Sequence, residues 1–355
     1  MLAARYKNDA QPIVKLNQLQ KSIKEQIESK IQQGSYKTEK VNCIICGKDD
    51  FEQLSEKDRF GLAVSVVICR ECGLIQTNPR LNQESYNEFY NAEFTKLIFG
   101  EDRTTRDLFL DQYFHGQKIY KYLKTSLPKA LKDLFILEVG CGPGGILAYF
   151  KDLGCSVSGM DVGQERIDFG KNNYDLNLQV GTLADYKLDR KPDVVIMSHI
   201  VEHLLNPNNE LERVRSILDK NGFMYIEVPG IRNLSGNQYD LNFLHLLQIS
   251  HTYHFSLRTL KNLANKVGFE FIRGDERVHS IFRPCNEKEV YQNDFVQALA
   301  YLRHMEVLRK FFLITPYKLR CAFETVVIWV LKKTGLFKIV RWIYRKIIKR
   351  TEPKK

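Results

Sequence analysis

Three groups of residues in this 355-residue chain combine types and spacings that can do chemistry. The first is Leu137-Glu-Val-Gly-Cys-Gly-Pro-Gly-Gly145. An apolar run, Leu134 to Val139, leads straight into Gly140, Gly142 and Gly144, and a helix is expected from Ile146. Without a Cβ these glycines let a ligand approach the backbone, and the following helix presents its N-terminus to the same place. Asp161 closes the next apolar run, Cys155 to Met160, and stands 21 residues after Gly140. At that distance an acid can accept hydrogen bonds from a ribose. The pair predicts a nucleoside cofactor, bound by Glu138, Gly140, Cys141, Gly142, Gly144, Asp161 and Val162.

The second group is Cys43-Ile-Ile-Cys46 and Cys69-Arg-Glu-Cys72, two C-x2-C pairs with 22 residues between them. Gly47 and Gly73 follow the pairs and permit the tight knuckle turns that aim backbone N–H groups at thiolates. Four thiolates at this spacing make a closed tetrahedral zinc site. A closed site leaves no position for water or substrate, so its zinc is structural. The third group is the set of histidines in residues 229–255, His245, His251 and His254, after the apolar run Phe223 to Val228. Histidine titrates near neutrality and can remove a proton from a hydroxyl. His251 and His254, just ahead of Phe255-Ser256, lead as catalytic candidates, with His199.

These residues need elements to position them. Strands are expected at 134–139, 155–160, 177–181, 193–198, 222–228, 269–274 and 278–283, with helices between. That alternation predicts an α/β, doubly wound, mainly parallel sheet. Ligands of such sheets bind at the carboxyl ends of the strands, which is where Ser198 and His199 fall.

The spacing G-x-G-x-G, preceded by Glu138, differs from the G-x-G-x-x-G of dinucleotide folds. Over roughly residues 105–285 it resembles the class I S-adenosylmethionine-dependent methyltransferases. The resemblance implies S-adenosylmethionine as cofactor and a seven-stranded Rossmann-like sheet whose last strand runs antiparallel. Ile200-Val-Glu-His203 resembles the family's L-E-H signature, which implies that His199 and Ser198 lie near the sulfonium and that His203 is structural. Where the family often has an Asp for the adenine amino group, this chain has Thr182; Thr182 or Asp185 is left to replace it, with Leu183 against the ring. The four-cysteine ribbon and Tyr86-Asn-Glu-Phe-Tyr90 resemble bacterial enzymes that methylate sugars and other small molecules. In them this region covers the active site, so Tyr86, Phe89, Tyr90 and Phe94 form either a lid or a core stripe.

Two absences narrow the chemistry. Sugar C-methyltransferases of this group carry Tyr-His-Glu-His before the Phe-Ser turn. Its last His falls on His251, but Gln248, Ile249 and Ser250 occupy the other places. O-methylation of a hydroxyl on a sugar, glycan or other small molecule is therefore expected ahead of C-methylation. No Asn/Asp-Pro-Pro-Tyr/Phe motif points to base N-methylation. The alternatives are an RNA methyltransferase using the ribbon and a basic tail, a sugar C-methyltransferase, and a cofactor-binding protein without catalysis.

Composition sets the outer bounds. The N-terminus lacks the apolar core of a signal peptide and no window holds 18 uninterrupted apolar residues, so a cytoplasmic protein with reduced cysteines is expected. The net charge of +11 is concentrated: residues 301–355 hold 15 Lys and Arg against three Glu, and the remainder is nearly neutral. Acids in and beside the ribbon (Asp49, Asp50, Glu52, Glu56, Asp58) make nucleic acid an unlikely partner. Leu336 to Arg350 places Lys338, Arg341, Arg345 and Lys349 on one helical face and Leu336, Val340, Ile343 and Ile347 on the opposite one. Such a helix suits an anionic membrane surface and a peripheral location at the inner face; packing on the body is the alternative. Residues 11–35 read as an amphipathic helix (Leu16, Leu19, Ile23, Ile27, Ile31) for the body or for a dimer seam. The expected organisation is an arm (1–40), a zinc ribbon (41–80), a helical lid or linker (81–130), the methyltransferase domain (131–285) and basic amphipathic helices (286–355). Neither the acceptor nor the oligomeric state is read from the sequence.

Overall fold

The computed structural model describes residues 1–355 apart from 101–103, 128–129, 187, 237–238, 288–290, 312–322, 324–325, 328–329, 332, 335 and 337–355. The basic stretch 337–350 lies outside the described residues. Among the described residues no helix is long and apolar enough to cross a membrane.

The chain opens with an extended arm and helix α1 (Gln18–Gln32). Strands β1 (Thr38–Glu39), β2 (Phe51–Lys57), β3 (Ala63–Cys69), β4 (Ile75–Thr77) and β5 (Arg80–Leu81) follow, then α2 (Gln83–Ala92), α3 (Phe94–Phe99) and α4 (Thr105–Leu123). Strands and helices then alternate as β6 (Phe135–Val139), α5 (Gly145–Asp152), β7 (Ser156–Asp161), α6 (Gln164–Tyr174), β8 (Leu178–Val180), β9 (Val194–Ser198), α7 (Pro207–Ile217) and β10 (Phe223–Glu227). The chain continues through β11 (Tyr253–His254), α8 (Leu257–Lys266), β12 (Phe269–Gly274), β13 (His279–Pro284) and α9 (Phe295–Phe311).

The main sheet has seven strands in the order β12-β13-β10-β9-β6-β7-β8. β6 to β10 run parallel, and β13 is inserted antiparallel between β10 and β12. This is the doubly wound Rossmann-like sheet expected from the sequence, with all seven strands within two residues of their expected places. β6 is buried along its whole length, as a central strand covered on both faces must be. Strand order reverses between β6 and β9, so the crevice at their carboxyl ends is the natural ligand position.

The ribbon strands do not stand apart. β2, β3 and β4 form a four-stranded sheet whose fourth member is β11, from the loop after β10. Tyr253 pairs with Gln76 and His254 with Ile75. Cys43, Cys69 and Cys72 share one hydrophobic cluster with Val139, Met197 and Phe255. The ribbon thus packs on the catalytic sheet. Asp58, read from sequence as part of an acidic surface, is fully buried. Its carboxylate accepts the backbone N–H groups of Phe60 and Leu62 at 2.9 and 3.0 Å and of Ile249 at 3.0 Å, tying the ribbon turn to the histidine loop.

The N-terminal helix is shorter than its apolar stripe implied. Asn17 caps it by accepting the Gln20 N–H, so Leu16 precedes the helix and Leu19 is 37% exposed. Ile23 and Ile27 are buried in a cluster with Leu97 of α3, and Lys30 pairs with Glu88 and Glu93 at 2.6 Å. The helix therefore packs on the body.

Candidate active site

The glycine loop begins where β6 ends. Gly140, Gly142 and Gly144 take φ values of 71°, 54° and 83°, a region that L side chains rarely adopt. A Cβ on Gly140 would lie 2.1 Å from the Ile200 side chain. Behind the loop, Glu138 is 1% exposed and its Oε2 has no hydrogen-bond partner. Burial, reinforced by the Asp161 charge, pushes its carboxyl well above the ordinary range. Asp161 grips the loop itself, accepting the Gly142 N–H at 3.0 Å on Oδ2 and the Gly163 N–H at 2.8 Å on Oδ1. Each oxygen retains a lone pair for a further donor.

These residues fit S-adenosylmethionine: a glycine cradle, an unpartnered buried carboxylate for a cationic ligand, and an acid at the ribose distance. Val162 is 67% exposed beside Asp161, leaving an apolar surface free for an adenine edge. Thr182 and Asp185 bond to each other, Oγ1 to Oδ2 at 2.9 Å, and Leu183 is buried below them. The Cys141 thiol is buried, against the position a Cβ on Gly159 would take and 3.5 Å from the Gly142 carbonyl.

The carboxyl ends of β9 and β10 carry a second constellation centred on Glu227. His115 Nε2 approaches Glu227 Oε2 at 2.7 Å, and His279 Nε2 approaches Oε1 at 3.2 Å. Ser198 Oγ and Tyr225 OH donate to Oε2 at 3.1 and 3.2 Å. His199 stands 3.7 Å from Oε1 on one side and 3.4 Å from Glu202 Oε1 on the other, with its side chain 51% exposed. Its φ of 55° is unusual for a residue with a Cβ, and its N–H is anchored on the Glu227 carbonyl at 2.8 Å. Desolvation opposes charge on His199, but Glu202 and Glu227 outweigh it and raise its pKa to about 9. Glu227 is buried, yet its imidazole partners hold it below the usual carboxylate range.

Sequence reasoning missed His115, Glu227 and His279. For Glu227 a signal existed, an acid ending the fifth strand of a doubly wound sheet. For the other two there was none, because His115 sits in a polar helix and His279 opens an antiparallel strand. α4 brings His115 in by lying across the loop, where Gln112 Oε1 accepts the Gly145 N–H at 3.1 Å.

His251 and His254 lie elsewhere, buried where the ribbon meets the catalytic sheet. Rings run in series from His203 to His251 at 4.9 Å and on to His254 at 5.7 Å. Burial pulls His251 well below the ordinary histidine range and His254 down to about 3. Burial weakens both as bases, and His254 Nε2 has no partner among the described residues. α2 and α3 cover this chain: Tyr86 OH donates to the carbonyls of His203 and Ser250 at 2.6 and 2.8 Å, and Tyr90 OH meets His203 Nδ1 at 2.5 Å. Tyr90 stacks on Phe94 at 4.4 Å, while Phe89 is core. His203 Nδ1 also lies 3.0 Å from the carbonyl of Ser250.

The four cysteine sulfurs lie within 4.8 Å of one another, with Cys43 and Cys72 at 3.3 Å and Cys46 and Cys69 at 3.4 Å.

Residues 112–273 match the model of a family described as a methyltransferase domain. With the sheet order and glycine loop, these residues are a class I methyltransferase domain. A ubiquinone biosynthesis O-methyltransferase of Pelagibacter ubique is 31% identical over 120 residues, covering 32% of this chain and 50% of that protein. A protein of the same name from Rickettsia bellii is 35% identical over 81 residues, 21% of this chain and 34% of its own. The chain thus spans half or less of the length of these curated relatives. The solved structure of a magnesium protoporphyrin IX methyltransferase from Synechocystis PCC 6803 is 14% identical, covers 57% of this chain and 98% of its own, and superposes with a TM-score of 0.41.

Proposed function

We propose that this chain is an S-adenosylmethionine-dependent methyltransferase that O-methylates a hydroxyl of a small molecule. The cofactor supplies a methyl group on a sulfonium. The observation that carries the reading is the adjacency of the cofactor cradle to an imidazole–carboxylate cluster at the same strand ends. Glu138, Asp161 and the glycine loop hold the donor. His115, His199 and Glu227 receive the acceptor hydroxyl and ease removal of its proton, and α2 and α3 keep water from the buried side. Positioning and proton removal are the main demands on the protein, because the methyl group is already activated. His199 stands ahead of His251 and His254 as the functional histidine, because its side chain is half-exposed at the strand ends whereas theirs are buried.

A sugar or glycan acceptor rests on the resemblance of the ribbon and of Tyr86–Tyr90, and O-methylation on the name of the relatives, ubiquinone biosynthesis O-methyltransferase. The four cysteines are proposed to hold a structural zinc: their sulfurs are close enough for one tetrahedral ion and leave it no open position. The basic stretch 337–350 supports apposition to an anionic membrane.

The test is transfer of labelled methyl into the small-molecule, lipid and RNA fractions of a cell extract, beside calorimetry with S-adenosylmethionine. Label in a small-molecule fraction is expected. Label in the lipid fraction, with the chain retained on anionic vesicles, is expected of the membrane-apposed form. His199→Ala is expected to keep cofactor affinity within about threefold and lose roughly 100-fold or more in turnover. Label in RNA alone, or no cofactor binding, overturns the proposal.

A further inference from the structure

His115, His199 and Glu227 come from α4, the turn after β9 and the end of β10, yet one ligand atom from each lies within 4.8 Å of the other two. We propose that these three side chains bind a divalent transition-metal cation and present it to the acceptor hydroxyl. The inference rests on reading this cluster as the acceptor site. Two imidazoles and a carboxylate are the donor set of sites that keep open coordination positions, unlike the closed four-thiolate set of the ribbon.

The surroundings of the cluster favour a built site over a chance contact. A ligating carboxylate needs outer partners to fix its orientation. Glu227 has them: His279 Nε2 sits 3.2 Å from Oε1, and Asp275 Oδ2 backs His279 Nδ1 at 3.2 Å. Ser198 and Tyr225 hold the other oxygen. The backbone bond from His199 N–H to the Glu227 carbonyl fixes two of the ligands relative to each other. Glu202, His203 and His251 converge equally closely. That group is enclosed, however, with Glu202 and His251 both buried. An acceptor can reach the first group, where His199 is half-exposed.

With the acceptor oxygen on an open position, the cation lowers the pKa of the hydroxyl. The proton leaves to water. The new oxygen–carbon bond forms as the methyl–sulfur bond breaks, and the electron pair of that bond stays on sulfur. His279 and Asp275 act as positioning residues.

The experiment is titration of the purified full chain with Co2+, followed by absorption spectroscopy. Cobalt on the ribbon thiolates shows sulfur charge-transfer bands, whereas cobalt on imidazoles and carboxylate shows only ligand-field bands. One cobalt of the second kind per chain is expected. His115→Gln, a change on a helix surface, is expected to abolish it, and His279→Gln to weaken its affinity about 10- to 100-fold. Cys43→Ser is expected to leave it unchanged. Absence of a nitrogen–oxygen cobalt species in the wild type, or its persistence in His115→Gln, overturns the proposal. Calorimetry with S-adenosylmethionine on the same samples separates the two readings. Normal cofactor binding without cobalt binding defeats the metal alone, whereas cobalt binding without cofactor binding defeats the methyltransferase reading and leaves the site.

Discussion

Single residues in this molecule act through what surrounds them more than through their type. Gly140 is legible in the sequence because a φ of 71° and a ligand-facing backbone both ask for glycine. An alanine there meets the tip of Ile200, a flexible group that can give way, but it keeps the backbone strain of about 1–3 kcal/mol. Gly140→Ala is expected to fold and to bind S-adenosylmethionine about tenfold or more weakly, since each 1.4 kcal/mol is a factor of ten. Unaltered affinity by calorimetry would show that the loop is not the cradle. The histidines teach the converse. Spacing drew attention to His251 and His254, whose types suit proton transfer. Only 6% and 2% exposed, they are weak bases, while two carboxylates strengthen His199.

At the scale of elements, a strand borrowed by one sheet from another part of the chain joins ribbon and catalytic sheet. β11 completes the ribbon sheet, so the order of residues 248–254 depends on the ribbon being folded. Thr77 Oγ1 donates to the His251 carbonyl at 2.9 Å, and Arg80 donates to Tyr253 OH at 2.8 Å. Loss of a metal held by the four thiolates is therefore expected to loosen the loop that carries His251 and His254 as well as the ribbon. Cys46→Ser, which leaves Cys69 without its neighbour, is expected to lower Tm by about 5 °C or more. It is also expected to open residues 248–254 to proteolysis. A Tm unchanged by both the substitution and chelation would remove the metal from the ribbon. None of this coupling is visible in a C-x2-C spacing, because β11 is two residues long and carries no strand signal of its own.

At the scale of the molecule, the two ends of the described body are tied together. Arg5 of the arm donates to Glu306 of α9 at 2.7 Å, and Arg309 does so at 2.9 Å; Tyr6 and Phe243 pack beside them. Burial raises the Glu306 carboxyl, but the two guanidiniums outweigh it and hold its pKa at about 2. A carboxyl depressed in the folded state stabilises above its unfolded pKa, and that contribution is lost as pH falls through the folded value. Glu306→Gln is expected to be less stable than the wild type at pH 6, and the difference should narrow from about pH 5 towards pH 2. Thermal unfolding across that range checks it, and a gap independent of pH would assign the effect to packing instead.

The sequence by itself determined the fold class, the glycine loop, the acid that ends the following strand and the four-cysteine pattern. Each is a local rule: a period of two or of 3.6, a backbone angle only glycine enters freely, a ligand spacing within one turn. Tertiary structure alone decided which polar groups meet. His115, His199, Glu227 and His279 are spread over 165 residues, and sheet order, not chain order, brings them together. It also decided which titratable groups are charged, because burial and neighbouring carboxylates have no counterpart in spacing. Asp58 is the plainest case, an acid that reads as surface and is instead enclosed by three backbone N–H groups.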